Sequence, residues 1–234
     1  MNSNIAMIPA RIGSTRLKKK NLALINQKPL IYYAIQAAKQ SKKFDKIVLN
    51  ADHEIFAEIA EINDIDFYLR PSKLGKSNVK SDDLVMDFID KFPNFKFITW
   101  INSIVPTINN RDIIKICNYF YKMNLDSLIT SDEIFLHALF KGRPINFKLK
   151  GKFEQTQLLK PIELFNYAIM MWKTSSFKRT KTNKLMCGKF KTFPTNASKT
   201  IIVKNKEDLK LLDYIISNKS NNNIKYYKRK KNNQ

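Results

Sequence analysis

The 234-residue sequence predicts an α/β domain built around a mostly parallel sheet. Its first 130 residues alternate short apolar runs with amphipathic segments, a pattern typical of β-α-β units. Residues 95–101 (FKFITWI) are rich in strand-forming side chains and indicate a central strand that is buried on both faces. A chain of this length buries about 70 % of its unfolded surface, so the fold needs no disulfide, and Cys117 and Cys187 are expected to be reduced.

The elements are expected in a regular order, with Pro29 opening the first helix and Asn205 capping the last one. Asp82 and Asp83 favour a helix start, where the helix dipole stabilises acids. Strands are expected at 5–10, 46–51, 65–69, 95–101, 127–130, 165–172 and 200–203, and helices at 29–41, 54–62, from about 82, 111–123 and 205–216. Residues 135–160 lack the hydrophobic periodicity of a helix or strand, and a basic stretch without regular structure is expected up to about residue 199. The predicted organisation is a domain at 1–217 with an excursion at 135–175, followed by a disordered basic tail at 218–234.

The formal net charge is +22, and it is unevenly distributed along the chain. Residues 1–140 have a net charge of +4, whereas residues 141–234 have +18. Such a basic half is typical of proteins that bind polyanions. The alternative is that a lysine- and asparagine-rich composition makes an ordinary surface basic. The N-terminal residues lack the features of a signal peptide, and no apolar run is long enough to span a membrane, so a cytoplasmic protein without a membrane partner is expected.

The most informative stretch is residues 8–21, IPARIGSTRLKKKN, between the first strand and the first helix. Ligands of parallel α/β sheets bind beyond the carboxyl ends of the strands, where this loop lies. Gly13 allows close approach of a phosphate, Ser14 offers a hydroxyl, and five cations lie within ten residues. The stretch has the spacing of neither a Walker A loop nor a GxGxxG loop.

As a string, these residues resemble the opening motif of the sialic acid cytidylyltransferases, IPARxGSxRLxxKN, which continues here through Lys28-Pro29-Leu30. Further matching segments are Phe44–Val48, Ala51-Asp52, Leu69-Arg70-Pro71 and Lys206–Leu209. The resemblance covers roughly residues 5–217 and thins after residue 135. It implies a Rossmann-like nucleotidyltransferase fold, transfer of CMP from CTP to an acidic sugar with release of pyrophosphate, a bound magnesium ion, and a homodimer formed through the irregular excursion.

The resemblance also implies roles for individual residues. Arg11 and Lys20 would be catalytic, stabilising the triphosphate together with Gly13 and Ser14, and Asn21 would lie beside the nucleotide. Three further nucleotide contacts have open alternatives. Arg16 can equally be a solvated loop charge, Arg70 an ion pair that fixes its loop, and Asn102 is one methylene shorter than the glutamine that the family has there. The sugar-facing candidates are Gln155, Gln157 and Lys160, which can equally form a polar surface loop.

The expected metal site departs from the family pattern. The family holds magnesium with two aspartates spaced D-x-D before the last helix, and those positions fall on Ile202 and Lys204. Neither side chain can ligate Mg²⁺, which prefers hard oxygen ligands. Three explanations are open: a carboxylate elsewhere, such as Asp52 or Glu163, holds the metal; Lys204 replaces part of its charge; or the chain has lost catalysis.

The leading functional hypothesis is a cytidylyltransferase for sialic, legionaminic or pseudaminic acid. A 3-deoxy-manno-octulosonate cytidylyltransferase is the second, since Ser14–Leu17 is compatible with it, although Lys20-Asn21 favours the first. The third is a catalytically silent, basic binding protein, for which the basic tail argues. Nucleic acid is the less favoured partner, because aromatic residues are not interleaved with the basic ones apart from Tyr226-Tyr227.

Overall fold

A computed structural model describes residues 3–14, 16–196 and 200–218. Within these residues the strands are β1 Asn4–Pro9, β2 Leu24–Ile25, β3 Lys28–Pro29, β4 Lys46–Ala51, β5 Asp66–Leu69, β6 Phe97–Ile101, β7 Ser127–Ile134, β8 Leu139–Phe140, β9 Arg143–Pro144, β10 Ile162–Lys173 and β11 Phe190–Thr195. The helices are α1 Leu30–Ser41, α2 Ile55–Ile62, α3 Ser81–Lys91, α4 Asn110–Lys122, α5 Thr174–Arg179 and α6 Lys206–Ser217. None of the described helices is long and apolar enough to cross a membrane.

Seven of the described strands form one sheet, in the order β11-β7-β10-β6-β1-β4-β5. Strands β6, β1, β4 and β5 are parallel to one another, so their carboxyl ends meet at one edge. Strand β10 is antiparallel to both β6 and β7, and β11 is parallel to β7. The mostly parallel α/β sheet predicted from the sequence is therefore confirmed.

Helices cover both faces of this sheet. Along β1, Ala6 and Ile8 point into a core with α1, α2 and α4, while Ile5 and Met7 point into a second core with α3 and α5. All five residues of β6 are buried, as expected of a central strand covered on both sides. Because helices cover both faces, a ligand can reach the sheet only at the ends of its strands.

Strand β10 is longer than expected and irregular at its middle. Its residues Ile169–Lys173 pair with β6, whereas Ile162–Phe165 pair only with β7. The register shifts between Phe165 and Met170, and Tyr167 has a φ of 53°, which is uncommon for a residue with a bulky side chain. The bulge therefore separates the part of β10 that pairs with both β6 and β7 from the part that pairs with β7 alone.

The structure differs from the sequence-based expectation in the second half. The stretch expected to be loose up to residue 199 contains α5 and β11, and the irregular stretch before β10 contains the β8–β9 hairpin. The prediction of a strand at 200–203 is wrong, because β11 occupies the sheet edge beside β7. Residues 200–203 form no strand; instead, the N–H of Val203 donates to the carbonyl of Ile104.

Helix α6 follows as predicted, with a capping box in which Asn205 and Asp208 exchange side-chain-to-backbone hydrogen bonds. The predicted cap of the last helix by Asn205 is thus confirmed. Of the tail expected to be disordered, residues 219–234 lie outside the described part of the chain.

Asp126 organises the turn that leads into β11. Its carboxylate accepts hydrogen bonds from Ser176 Oγ at 2.5 Å and from the N–H of Lys189 at 2.8 Å. Burial opposes its ionisation, but these hydrogen bonds and the charges of Lys173 and Arg179 together keep the pKa of Asp126 below its ordinary value. Gly188, with a φ of 56°, lets the chain pass closely over this carboxylate.

We expect Gly188→Ala to destabilise the fold by about 2–4 kcal/mol, because the left-handed conformation and a steric clash add up. A Cβ atom at this position would lie 2.4 Å from Asp126 Oδ2. Gly142→Ala is the matched control, since Gly142 also has a positive φ but open space around it, and about 1 kcal/mol is expected there. Urea unfolding of the two variants measures the difference, and equal losses would refute the role of Asp126.

Candidate functional site

A cavity of about 330 Å³ opens where the carboxyl ends of β1 and β6 face the start of α3. It lies at the edge at which ligands of open α/β sheets bind. Its walls come from the loop after β1, the segment between β5 and α3, and the loop after β6. The lining residues are Pro9, Ala10, Arg11, Ser14, Arg16, Lys20, Asn21, Arg70, Leu74, Lys76, Ser77, Val79, Lys80, Ser81, Leu84, Trp100, Asn102, Ser103 and Ile104.

The loop after β1 is fixed at its start by backbone contacts with β4. The N–H of Ala10 donates to the carbonyl of Asn50 at 2.9 Å, which extends the β1–β4 pairing by one residue. The N–H of Ile12 then donates to Asp52 Oδ1 at 2.9 Å. Asp52 therefore serves as an anchor for the loop.

Lys20 is the most enclosed cation of this loop. It is only 8 % exposed, and its Nζ donates a hydrogen bond to the carbonyl of Val203 at 2.9 Å. Because an ammonium group has three N–H donors, two remain available to a ligand. The contact also joins the loop to the segment before α6, 183 residues further along the chain.

Asn21 is held by the loop after β6. Ser103 Oγ lies 2.9 Å from Asn21 Oδ1 and 3.0 Å from the carbonyl of Pro9, and both side chains are buried. The amide oxygen of Asn21 is therefore fixed, with the residue at the cavity wall. The sequence motif alone does not point to Ser103.

Arg70 lines the cavity, but its guanidinium is engaged mainly with the protein. It is 4 % exposed, donates from Nη1 to the carbonyl of Asn50 at 2.6 Å, and lies 4.0 Å from Asp52 Oδ2. Burial lowers the pKa of Arg70, although Asp52 and Asp87 counteract it. These contacts support the alternative in which Arg70 fixes its loop.

Asn102 also lines the cavity while supporting the backbone around it. Its N–H donates to the carbonyl of Ala168 at 2.9 Å, and its Nδ2 donates to the carbonyl of Tyr167 at 3.2 Å. Its position is thus set by the bulge of β10. The amide oxygen lies 3.4 Å from the N–H of Ile104.

The charge of the cavity is one-sided. Six of its lining side chains are Lys or Arg, and no Asp or Glu lines it among the described residues. Burial lowers the pKa of Lys20, and the nearby charges of Arg16 and Arg11 lower it further, whereas Asp208 acts in the opposite direction. An anion would relieve this repulsion, so the cavity is suited to a polyanionic ligand.

Several predicted site residues do not line this cavity. Gly13 is exposed, and its surroundings do not require glycine, since no atom lies within 4 Å of the place that a Cβ would take. Gln155, Gln157 and Lys160 are exposed around the 3₁₀ turn Thr156–Leu158. The structure thus brings together seven of the predicted residues: Arg11, Ser14, Arg16, Lys20, Asn21, Arg70 and Asn102.

The wall between β5 and α3 is not predicted by the sequence motif. Lys76, Ser77, Lys80 and Ser81 all line the cavity there, and Trp100 contributes from β6. In the sequence, the contribution of Lys76 and Lys80 to the cavity is indicated only by their position after the carboxyl end of a parallel strand. It is a weak signal beside the motif after the first strand, which by itself accounts for all the expected phosphate contacts.

The described residues do not fit a protein-held magnesium ion at this cavity. No carboxylate lines it, and the described part of the chain has no group of three or more His, Cys, Asp or Glu side chains placed to hold a metal. Asp52 is engaged with Ile12 and Arg70, and Glu163 is exposed on β10 opposite Glu133. Ile202 packs against the core, and Lys204 is exposed.

We expect binding of tripolyphosphate to weaken as the pH rises through the lowered pKa of Lys20, because only the protonated ammonium attracts the anion. Lys20→Met should weaken binding at pH 7 by about tenfold or more and remove this part of the pH dependence. Lys18→Met is the control, since Lys18 is exposed on the same loop and does not line the cavity. Isothermal titration across pH measures both effects. Similar losses in the two variants would show that only the overall charge matters.

Relatives of this chain include enzymes named for cytidylyl transfer. It is 28 % identical to the N-acylneuraminate cytidylyltransferase of Streptococcus agalactiae serotype III over 186 residues, which cover 76 % of this chain and 45 % of the relative. It is 27 % identical to the post-translational flagellin modification protein B of Campylobacter coli, covering 94 % and 97 % of the two chains. The chain spans 26–45 % of the length of the N-acylneuraminate cytidylyltransferases it matches first.

The fold has a solved counterpart in the structure of a CMP:2-keto-3-deoxy-manno-octonic acid synthetase complexed with CTP. The TM-score is 0.70 at 16 % identity, and the match covers 93 % of this chain and 99 % of that one. This likeness confirms the Rossmann-like nucleotidyltransferase fold. A family profile described as cytidylyltransferase matches residues 5–160, which include the loop after β1 and the lining residues of the cavity. The chain belongs to the cytidylyltransferase family.

Proposed function

We propose that this protein transfers CMP from CTP to an acidic nine-carbon sugar of the sialic, legionaminic or pseudaminic acid type, releasing pyrophosphate. The observation on which this rests is the cavity with six cationic side chains and no carboxylate among its described lining residues, in a member of the cytidylyltransferase family. The choice of sugar is supported by the names of relatives, which include a pseudaminic acid cytidylyltransferase of Campylobacter jejuni that is 47 % identical over 57 residues.

In this reaction a sugar hydroxyl attacks the α-phosphorus of CTP, a new P–O bond forms, and the bond to the β-phosphate oxygen breaks. The hydroxyl proton leaves to solvent or a base, and negative charge accumulates on the departing pyrophosphate. Arg11 and Lys20 are the residues proposed to stabilise that charge, since both line the cavity on the loop after β1. The hydrogen bond to Val203 holds Lys20 in place before the substrate arrives.

The nucleoside end is assigned to the apolar lining residues of the cavity. Leu74, Val79, Leu84 and Trp100 provide apolar surface against which a pyrimidine ring can pack. Asn21 is a further lining residue, and its amide nitrogen is available as a donor, while its oxygen is held by Ser103. The lining serines, Ser14 among them, supply hydroxyl donors for phosphate oxygens.

We expect pyrophosphate release that requires both CTP and one of these sugars, and Arg11→Ala should lower kcat/KM by about 10²–10³-fold. The reason is that one charged donor to the leaving group is removed. Arg111→Ala serves as control, because Arg111 is exposed on α4 and does not line the cavity. Absence of turnover with every sugar would argue against the proposal. Turnover with 3-deoxy-manno-octulosonate alone would show that this sugar, and not a nine-carbon sugar, is the substrate.

We also propose that the protein forms a homodimer through residues 135–167. This region exposes an unusual number of large apolar side chains, with Leu149, Phe153 and Leu158 each more than 70 % accessible to solvent. Extensive exposed apolar surface of this kind marks interaction sites. The further members of the surface are Phe135, Leu136, Leu139, Phe140, Ile145, Leu164 and Tyr167.

For the assembly we expect analytical ultracentrifugation to give twice the mass of the chain, and Leu139→Asp combined with Phe140→Asp to give the monomer, because charges would have to be buried at the interface. Ile62→Asp is the control, since Ile62 is 74 % exposed on α2, outside this surface. A wild-type protein that stays monomeric at high concentration would exclude the dimer.

A further inference from the structure

The two cation-bearing walls of the cavity come from separate segments of the chain. Arg11, Arg16 and Lys20 belong to the loop after β1, and Lys76 and Lys80 belong to the segment between β5 and α3. A ligand with several negative charges can therefore be contacted from two directions. Arg70, the sixth cation, is buried and engaged with Asn50 and Asp52.

Lys76 and Lys80 form no ion pair among the described residues, although Lys76 also lines a neighbouring cavity with Asp83 and Asp87. Among the described residues, neither takes part in an ion pair or a side-chain hydrogen bond, whereas the ion pairs that are formed use Lys39, Lys46, Arg70 and Lys178. Both lysines are exposed at the cavity. Free lysines on a wall without carboxylates are available to phosphate oxygens.

A divalent cation in the same place would meet unfavourable surroundings. Mg²⁺ requires oxygen ligands, usually with at least one carboxylate, and the cavity offers positive charges instead. The carboxylate that anchors the loop, that of Asp52, already accepts the N–H of Ile12 and lies 4.0 Å from Arg70. A metal that entered bound to the triphosphate would add its charge to those of the neighbouring Lys and Arg side chains.

We propose that the cavity binds CTP as the free polyanion, with Lys76 and Lys80 and the cations of the loop after β1 supplying the charge neutralisation that a divalent ion would otherwise provide. This inference rests on the proposed function, because it takes CTP as the ligand. It states that CTP binds without Mg²⁺ and that Lys76 and Lys80 take part in recognising it.

The test is isothermal titration of the full chain with CTP, once in EDTA and once over a series of MgCl₂ concentrations at constant ionic strength. Mg²⁺ complexes CTP and so removes the free nucleotide, and the apparent Kd is therefore expected to rise with MgCl₂. An apparent Kd that stays constant or falls on adding Mg²⁺ would overturn the proposal.

The double variant Lys76→Ala, Lys80→Ala tests the two lysines directly. In EDTA at low salt it should bind CTP about five- to tenfold more weakly, as expected for two exposed charge pairs. The control is Lys18→Ala with Lys73→Ala, which removes the same charge at one position on the loop after β1 and one between β5 and α3, neither of which lines the cavity. Equal weakening in both double variants would overturn the assignment.

The outcomes also separate this inference from the proposed function. If CTP binds only with Mg²⁺ and sugar-dependent pyrophosphate release is observed, the proposed function stands and the inference is wrong. If CTP binds under neither condition, both are wrong.

Discussion

Mutual repulsion of like charges is the constraint around which the cavity is built. Burial lowers the pKa of Lys20, and Arg16 and Arg11 lie close enough to lower it further, so their loop must be held by contacts elsewhere. Asp52 holds its start through the N–H of Ile12, and Val203 holds its end through Lys20 Nζ. Part of the folding free energy is thus used to keep cations together before any ligand is present.

The first half of the fold can be predicted from the sequence, because its helices and strands show a regular hydrophobic pattern and end at recognisable residues. Strand β6 is uniformly buried and α1 begins directly after Pro29, and both agree with the prediction. In the second half these local patterns fail. β11, with the sequence FKTFPT, contains Pro194 and Lys191 and is stabilised by pairing with β7 along one edge, whereas 200–203 has strand-forming residues but no partner strand.

For the site, the continuous motif after β1 is informative because its residues are near each other in both sequence and space. Arg70 is harder to interpret, since only its burial and its contacts with Asn50 and Asp52 distinguish a fixed ion pair from a free cation. The hydroxyl of Ser103 beside Asn21 depends on a contact across 82 residues, which no local pattern encodes. Long-range packing therefore decides what the local sequence leaves open.

The bulge at Tyr167 lies between the exposed apolar surface and the wall of the cavity. On one side, β10 runs into the apolar surface of residues 135–167; on the other, the carbonyls of Tyr167 and Ala168 hold Asn102 at the cavity wall. The exposed apolar surface and the two carbonyls that position Asn102 therefore lie along the backbone of one continuous strand.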